Sequence, residues 1–397
     1  MEKPARSDTP AGLNQAAMRA MAAGDLPGAQ AALLKVLEID KKSIGSWLNL
    51  AAVRRQIMDM DGAFQALREV LLLEPRNFQA LLMTATLLER AGQMKATATA
   101  YGIALAQAPP DAYLDPPTLQ AVQHARAIHV KHTGELDAFI RAEVTESVSR
   151  CKPVERRRID NFIGTTLRTR KRFHQEPLEY LYPGLPAIEF YEREEFPWLG
   201  EFEAATAAIQ DELAAILRAD QAGFAPYVHY EDYLPLDQWR ELNHSPRWSA
   251  FHFYELGKPV DERYRRAPAT MLALSKLPQA QVALRSPTAL FSVLQPRTRI
   301  PPHTGVANFR LVVHLPLVMP SSCGFRVGGE MREWRVGEAW VFDDTIEHEA
   351  WNDSDQTRII LICDVWNPRL SEEERIAIAR VIAATDAFNG ITPSSSV

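Results

Sequence analysis

Residues 301–317 read PPHTGVANFRLVVHLPL, and this stretch decides the fold expected for the C-terminal half of the chain. A turn containing proline, glycine and asparagine leads into an apolar run rich in valine and leucine, which is typical of a buried β-strand. The stretch also contains His303, Arg310 and His314. Because a lone histidine most often packs or lies at the surface, a function must be argued from partners elsewhere in the chain.

Short β-rich runs recur on both sides of this stretch. TALFSVLQ (288–295), EWRVGEAWVFD (333–343) and TRIILICDVW (357–366) are separated by turns of Pro, Gly, Asn and Asp. This alternation is typical of an antiparallel barrel or jelly roll. A helix is expected to follow from Ser371, which forms a capping box with Glu374. We therefore predict a jelly-roll domain, of the double-stranded β-helix type, over residues 181–397.

The N-terminal part has a different pattern. Residues from about 11 to 110 are rich in Ala, Leu and Met at helical spacing, and they match themselves at a shift of 34 residues. The pairs 24–25, 58–59 and 92–93 share one phase, Leu33, Leu67 and Tyr101 share another, and Pro75 and Pro109 lie one period apart. This resembles about three tetratricopeptide repeats, predicted over residues 1–110, with an ordinary helical bundle as the alternative. Such repeats present a concave surface that binds a peptide or another protein.

Residues 111–180 separate these two parts and are polar and basic. They include the charge run VERRRIDNFIGTTLRTRKRFHQEP (154–177), which we interpret as a solvated helix face, although it could dock an acidic partner. We predict a helical connector over residues 111–180. The predicted fold class is therefore α+β and multidomain, with all-α tetratricopeptide repeats followed by a jelly roll.

The composition excludes several classes of protein. The chain has 397 residues, with 46% hydrophobic and 24% charged residues and a formal charge of −6, which argues against general nucleic-acid binding. Three distant cysteines give neither a disulfide framework nor a zinc site. The N-terminus lacks an apolar signal segment, and no run of about eighteen apolar residues occurs. We expect a cytoplasmic protein with no membrane and no nucleic-acid partner.

His303, His348 and Arg358 follow one another in a chemically meaningful order. His348 lies 45 residues after His303, and Arg358 ten residues after His348. Imidazoles on rigid strands suit Fe(II) with open positions for O2 and a co-substrate, and arginine pairs bidentately with a carboxylate. The order resembles that of double-stranded β-helix dioxygenases that use Fe(II) and 2-oxoglutarate. The usual His-x-Asp carboxylate is missing, because Gly305 stands two residues after His303 and cannot ligate a metal.

One family within this superfamily carries His-x-Gly at that place. HTGVANFRLVVHL, FDDTIEHEAW and DVWNP, with PGL…EEFPWL and RWSAFHFYELG upstream, resemble the aspartyl/asparaginyl β-hydroxylase family over roughly residues 180–370. The resemblance implies an iron site of two histidines, His303 and His348, with water or co-substrate in place of the carboxylate. It also implies that Ser292 and Arg358 hold the C5 carboxylate of 2-oxoglutarate and that His314 contacts its C1 carboxylate.

The sequence departs from the family pattern at one position. Where the family often has an arginine two residues before the last of these histidines, this chain has Val312. Arg310 lies on the same face of a period-two strand and is a candidate replacement. For Asp343 and Asp344, orientation of a ligand or of metal-bound water competes with ordinary turn chemistry. For Trp248, packing is favoured slightly over lining the substrate pocket.

These observations predict an Fe(II)- and 2-oxoglutarate-dependent dioxygenase in which His303, His348 and Arg358 are the candidate catalytic residues. The expected reaction is hydroxylation of a C–H bond, first of all the β-carbon of an Asp or Asn in a peptide or protein that the repeats recruit. The alternatives are the same chemistry on a small metabolite or acyl chain, and a non-catalytic tetratricopeptide adaptor. We also expect a carboxylate introduced by Gly305→Asp to be tolerated near the metal.

Overall fold

The computed structural model describes residues 9–219, 223–231 and 233–391. The chain forms two compact units, one ending at Thr169 and the other beginning at Arg170. The predicted boundaries lie at 110/111 and 180/181, so the segment after Thr169 belongs to the second unit. Among the described helices, none has the combination of length and apolar character that crossing a bilayer requires.

The first unit begins with six helices arranged as consecutive antiparallel pairs. They are α1 (Pro10–Ala22), α2 (Leu26–Ile39), α3 (Ile44–Gln56), α4 (Met60–Leu73), α5 (Phe78–Arg90) and α6 (Met94–Leu105). The first helices of the pairs start at residues 10, 44 and 78, and the second helices at 26, 60 and 94, so both series repeat every 34 residues. The predicted tetratricopeptide repeats are confirmed by this spacing.

The period has a physical cause in the packing and in the turns. Leu33, Leu67 and Tyr101 share one phase and are at most 1% exposed, so each repeat buries a large side chain at the same point. In the turn between paired helices the backbone φ is positive at Gly24 (76°), Met58 (64°) and Gly92 (72°). Met58 therefore occupies a left-handed position where the other repeats have glycine.

Two further helices follow within the predicted connector, α7 (Pro116–Ser149) and α8 (Pro153–Thr166). Asp115 caps α7 by accepting a hydrogen bond from the Thr118 backbone N–H at 3.0 Å. Proline at the first helical position of each helix sets φ where no hydrogen bond is lost. The basic run therefore begins on a helix, α8, and ends in extended chain of the second unit.

The second unit is built on two antiparallel sheets. Its strands are β1 (Ala225–Pro226), β2 (Trp248–His252), β3 (Tyr254–Glu255), β4 (Lys258–Pro259), β5 (Ala289–Leu294), β6 (Thr298–His303), β7 (Arg310–Val318), β8 (Cys323–Val327), β9 (Glu330–Arg332), β10 (Trp340–Phe342), β11 (His348–Asn352) and β12 (Arg358–Trp366). The larger sheet has the order β1-β2-β5-β12-β7-β10, and the smaller has the order β6-β11-β8-β9; β3 and β4 form a separate hairpin. This arrangement confirms the predicted fold class, with the repeats followed by a jelly-roll-like domain.

Side-chain alternation divides the larger sheet into an outer and an inner face. Phe291, Leu315 and Leu361 share one hydrophobic cluster with helix residues such as Leu213 and Leu274. The helices of this unit are α9 (Leu199–Ala204), α10 (Thr206–Ala219), α11 (Asp261–Arg265), α12 (Pro268–Ser275) and α13 (Glu372–Phe388). α13 begins with the predicted capping box, in which the Glu374 backbone N–H donates to Ser371 Oγ at 3.2 Å.

The inner face packs against the smaller sheet. Val312 and Ile360 of the larger sheet share a second cluster with Phe325 and Ala350 of the smaller one. Because successive strand residues alternate between faces, Ser292, His314 and Arg358 lie on the same inner face as Leu294, Val312 and Ile360. The candidate polar residues are thus placed in the interior between two apolar sheets.

Candidate active site

His303 and His348 lie side by side in the smaller sheet. His303 ends β6 and His348 begins β11, the two are directly paired in the strand register, and their ring centroids are 4.1 Å apart. Nδ1 of His303 is 2.8 Å from the Pro301 carbonyl oxygen, and Nδ1 of His348 is 3.1 Å from that of Ile346. Since a carbonyl only accepts, both Nδ1 atoms carry the hydrogen and both Nε2 atoms keep a lone pair.

The environment keeps both rings neutral. Burial, followed by the neighbouring His348, lowers the pKa of His303 to about 3, and burial lowers the pKa of His348 to about 4. Neutral imidazoles with a fixed tautomer are the form that binds a transition metal. Within the described part of the chain no cluster of three or more His, Cys, Asp or Glu residues could hold a metal ion, so the pair offers two protein ligands. This donor set fits Fe(II) with several positions left open.

Asp344 fills the space beside Gly305. A Cβ atom added at residue 305 would lie 2.0 Å from Oδ2 of Asp344, well inside any allowed contact. The Gly305 backbone N–H also donates to the Asp344 carbonyl oxygen at 2.6 Å, which holds the two residues together. Gly305→Asp would therefore require the Asp344 side chain to move, and the expectation that it is tolerated stays a prediction.

Arg358 is a buried cation without an acidic partner. It is 1% exposed, and no described carboxylate forms an ion pair with it. Its Nη1 is 3.5 Å from Ser292 Oγ, its guanidinium carbon lies 4.8 Å from the centre of the Trp334 ring, and Nε has no partner. Burial lowers the pKa of Arg358 to about 10, so the group is still charged at neutral pH. An unpaired buried charge is costly, so an anion that paired with this guanidinium would be favoured.

His314 interacts electrostatically with both His348 and Arg358. It is 6% exposed, with Phe342 and Phe325 ring centroids at 4.7 and 5.0 Å, and its Nδ1 has no partner. Burial, then the positive charge of Arg358 and the neighbouring His348, hold the pKa of His314 well below its usual range. The site therefore contains a neutral imidazole that can donate or accept a hydrogen bond, together with a buried cation.

Trp248 does more than pack. It is 4% exposed, and its indole Nε1 donates to Ser292 Oγ at 3.1 Å. Its ring stacks on Tyr227 with centroids 4.0 Å apart and lies 6.4 Å from the ring of His303, while Trp239 meets His303 edge-on at 5.1 Å. Sequence reasoning missed the roles of Trp239 and Trp334, since no motif distinguishes them from core tryptophans.

Arg310 has a partner of its own. Its guanidinium is 3.4 Å from Oδ2 of Asp344. In the sheet it is paired with Trp366, eight residues along β12 from Arg358, which is about 26 Å of extended strand. The position where the family often has arginine, Val312, is 7% exposed in the apolar cluster. Arg310 is therefore not placed beside Arg358, and its role as a co-substrate contact stays a prediction.

Asp343 and Asp344 have different surroundings. Asp343 Oδ1 accepts from the Thr345 backbone N–H at 3.0 Å, which is ordinary turn chemistry. Its Oδ2 accepts from Nε2 of the distant Gln175 at 2.5 Å. Burial nonetheless raises the pKa of Asp343 to about 6. Asp344 Oδ1 is buried without a partner. Of the two carboxylates, Asp344 is therefore the one that can still accept a hydrogen bond.

Comparison with known proteins finds one family that the second unit resembles. Residues 203–368 match the model of the family described as aspartyl/asparaginyl beta-hydroxylase. This part of the chain is similar to that family. It is 35% identical over 150 residues to the human aspartyl/asparaginyl beta-hydroxylase, a match that covers 38% of this chain and 19% of the human protein.

A second relative is matched over more of its length. The ornithine lipid ester-linked acyl 2-hydroxylase of Rhizobium tropici is 31% identical over 194 residues, covering 48% of this chain and 64% of that protein. The chain thus spans about a fifth of the human β-hydroxylase and less than two thirds of the Rhizobium relative. Among solved structures, the TPR2B domain of yeast Sti1 aligns with a TM-score of 0.27 and 13% identity, over 32% of this chain and 97% of that one.

Proposed function

We propose that the second unit is an Fe(II)- and 2-oxoglutarate-dependent dioxygenase that hydroxylates a C–H bond. The observation that carries the proposal is Arg358, a fully buried guanidinium with no acidic partner among the described residues. It lies in the same interior as two neutral histidines whose Nε2 atoms keep a lone pair. A dicarboxylic keto acid satisfies both ends of such a site, with one carboxylate for the arginine and a chelating end for the metal.

Each side chain has a role in this proposal. His303 and His348 would hold Fe(II), Ser292 and Arg358 would bind the C5 carboxylate, and His314 would face the C1 end. With these groups bound, iron supplies the redox chemistry by which a substrate C–H, O2 and 2-oxoglutarate become C–OH, succinate and CO2.

The protein contributes orientation and exclusion of water. The backbone carbonyls at Pro301 and Ile346 fix the imidazole tautomers, so both Nε2 lone pairs are available. The aromatic rings around His314 and Arg358 keep water from the buried end of the site. In that dry surrounding the bond from Arg358 to a carboxylate is stronger than it would be in water.

The first candidate substrate is an Asp or Asn residue of a peptide or protein, hydroxylated at its β-carbon. The name of the human relative supports this candidate. The second candidate is an acyl chain, which the name of the Rhizobium relative supports. Two features near the metal ligands also favour an apolar substrate: the aromatic side chains of Trp239 and Tyr227, and the neutralisation of Arg310 by Asp344.

The repeats of the first unit are proposed to recruit a protein substrate or carrier, because stacked helix pairs present an extended binding surface. A truncated chain beginning at residue 170 should then keep iron-dependent decarboxylation of 2-oxoglutarate but hydroxylate a protein-borne substrate poorly. Equal rates for the truncated and full chains on that substrate would assign the repeats to assembly or localisation.

An intact-mass screen tests the proposed reaction and its substrate together. Candidate Asp- or Asn-containing peptides and acylated lipids are incubated with the full chain, Fe(II), 2-oxoglutarate and O2. Gain of one oxygen atom that requires both iron and 2-oxoglutarate supports the enzyme, and the class that gains it identifies the substrate. Tight 2-oxoglutarate binding with no succinate under any condition would instead support a ligand-binding adaptor.

A further inference from the structure

An extended segment near the start of the second unit is attached to the two loops that lie next to the histidine pair. These loops are residues 304–309, directly after His303, and residues 343–347, directly before His348. We call the segment of residues 175–182 the strap. It forms one isolated antiparallel bridge with loop 343–347 and one isolated parallel bridge with loop 304–309. The strap therefore joins two loops that are far apart in the sequence.

Backbone hydrogen bonds attach the strap to each loop close to its histidine. The Glu176 N–H donates to the Thr345 carbonyl oxygen at 2.8 Å. The Leu178 N–H donates to the Gly305 carbonyl oxygen at 2.9 Å. Thr345 and Gly305 lie within three residues of the histidine that each loop adjoins. A movement of the strap would therefore be felt at both histidines.

Gln175 links the two loops through a single side chain. Its Nε2 donates to Oδ2 of Asp343 at 2.5 Å, and its Oε1 accepts from Nδ2 of Asn308 at 3.2 Å. Its Nε2 also lies 3.4 Å from the Pro186 carbonyl oxygen. Asn308 is fully buried, and its Nδ2 donates to the Tyr182 carbonyl oxygen at 2.9 Å. One amide thus connects a carboxylate of one loop to a buried amide of the other.

The strand ladder gives the histidine pair support on one side only. His303 is the last residue of β6 and His348 is the first residue of β11, so the pairing of these strands stops at the pair. Their register also shifts between His348 and Ala350. Strand ends open more readily than strand centres, and a site with two protein ligands depends on the relative position of those two. The link through Gln175 supplies support on the loop side of the pair.

We propose that Gln175 is a positioning residue that fixes the separation of His303 and His348 by tying together the loops beside them. It acts through Asp343 and Asn308, which lie five residues from His348 and His303 in the sequence. The proposal rests on the function proposed above, because it takes both histidines to be metal ligands. It goes beyond that function in giving the strap a task in metal binding.

Titrations of the full-length protein with Mn(II), which replaces Fe(II) without turnover, test this role. Gln175→Met keeps the length of the side chain and removes its hydrogen-bonding groups. We expect the Kd for Mn(II) to rise about tenfold, as for the loss of a group that orients metal ligands. The visible absorption spectrum of the Co(II)-loaded variant, which reports ligand geometry, should shift.

Gln210→Met on α10 is the matched control. The Gln210 side chain is also half-buried, and its Nε2 donates to the Leu317 carbonyl oxygen at 2.7 Å. This substitution removes the same kind of bond outside the strap. It should leave the Kd for Mn(II) and the Co(II) spectrum unchanged.

An exchange of the two groups separates positioning from general destabilisation. Gln175→Glu alone sets two carboxylates against each other and should weaken Mn(II) binding at least as much as Gln175→Met. In Gln175→Glu/Asp343→Asn the amide and the carboxylate trade places, so the two loops are linked again. The Kd should then return to within about threefold of wild type. Only the 3.4 Å contact with Pro186 is not restored.

Three results would overturn the inference: a Kd in Gln175→Met within about twofold of wild type, an equal loss in Gln210→Met, or no recovery in the exchanged variant. If Gln175→Met does not fold, the comparison of the exchanged variant with Gln175→Glu decides, and equal Kd values overturn the inference. Failure of the wild-type protein to bind Mn(II) would instead refute the proposed function.

Discussion

Replacement of Arg358 by methionine gives the sharpest separation between a binding role and a structural one. Methionine keeps much of the volume of the arginine but removes the charge and the hydrogen-bond donors. Removing one partner of a buried charge pair costs on the order of 2–5 kcal/mol of binding. The Kd for 2-oxoglutarate should therefore rise about 30-fold to about 4,000-fold. Arg358→Lys keeps the charge without the planar fork, and its Kd should fall between those of wild type and Arg358→Met.

The same substitution should not weaken the ligand-free fold. Burial lowers the pKa of Arg358 well below its ordinary value, to about 10. At about 1.4 kcal/mol for each tenfold change in proton affinity, this corresponds to a cost of about 3 kcal/mol for holding the cation in the empty site. At neutral pH the arginine is charged in both the folded and the unfolded chain, so the full cost is present. Loss of the contact with Trp334 removes about 1–2 kcal/mol of stabilisation. The free energy of unfolding of Arg358→Met should thus be equal to wild type or higher by up to about 2 kcal/mol.

Calorimetric titration of 2-oxoglutarate into the Mn(II)-loaded variants measures the Kd. Urea unfolding without ligand measures the free energy of unfolding. A Kd within twofold of wild type would refute the assignment of Arg358 to the co-substrate. A large loss of stability with an unchanged Kd would show that the arginine stabilises the fold and does not bind the co-substrate.

The remaining predictions concern the metal, pH and the repeats. His303→Ala and His348→Ala should each abolish Fe(II) binding with little change in the far-UV circular dichroism spectrum, and full iron occupancy in both variants would contradict the two-histidine site. Burial holds the pKa of His303 at about 3 and that of His348 at about 4, so neither ring needs to lose a proton on binding metal. The metal affinity should therefore change less than about twofold between about pH 7.5 and about pH 5.5. Two histidines with ordinary pKa values near 6.5 would lose about 100-fold over the same range, and a loss of that size in a metal titration would contradict the burial argument. Met58→Gly should raise the free energy of unfolding by about 0.5–1 kcal/mol, because an exposed side chain with φ of 64° is strained, and an unchanged or lower denaturation midpoint would show otherwise.

The sequence was sufficient for features that repeat or alternate. The 34-residue period reappears in the residues at which the helices begin, because each repeat buries an equivalent side chain, Leu33, Leu67 or Tyr101. The strand runs form the expected antiparallel sheets, and His303 and His348 meet although 45 residues separate them. Whether these two residues bind iron stays a prediction, as do the predicted domain boundaries.

Features that depend on the exact register of distant strands could not be predicted. The bond from Trp248 to Ser292 joins residues 44 positions apart on neighbouring strands, and its existence depends on which residues face inward. Asp344 fills the space beside Gly305 because the chain segments that carry these two residues come together in the fold. Arg310 was a candidate for the missing arginine because it shares a strand face with Val312, but its side chain pairs with Asp344, whose position only the folded chain reveals.

Iron-dependent turnover of 2-oxoglutarate by the purified full-length protein tests the central claim most directly. Succinate and CO2 are quantified with and without Fe(II), and with His303→Ala and His348→Ala as matched controls, in the absence of added substrate. The account predicts slow but measurable formation of succinate that requires iron and is lost in both variants. Absence of succinate from an iron-loaded wild-type protein, or equal formation by the histidine variants, would contradict it.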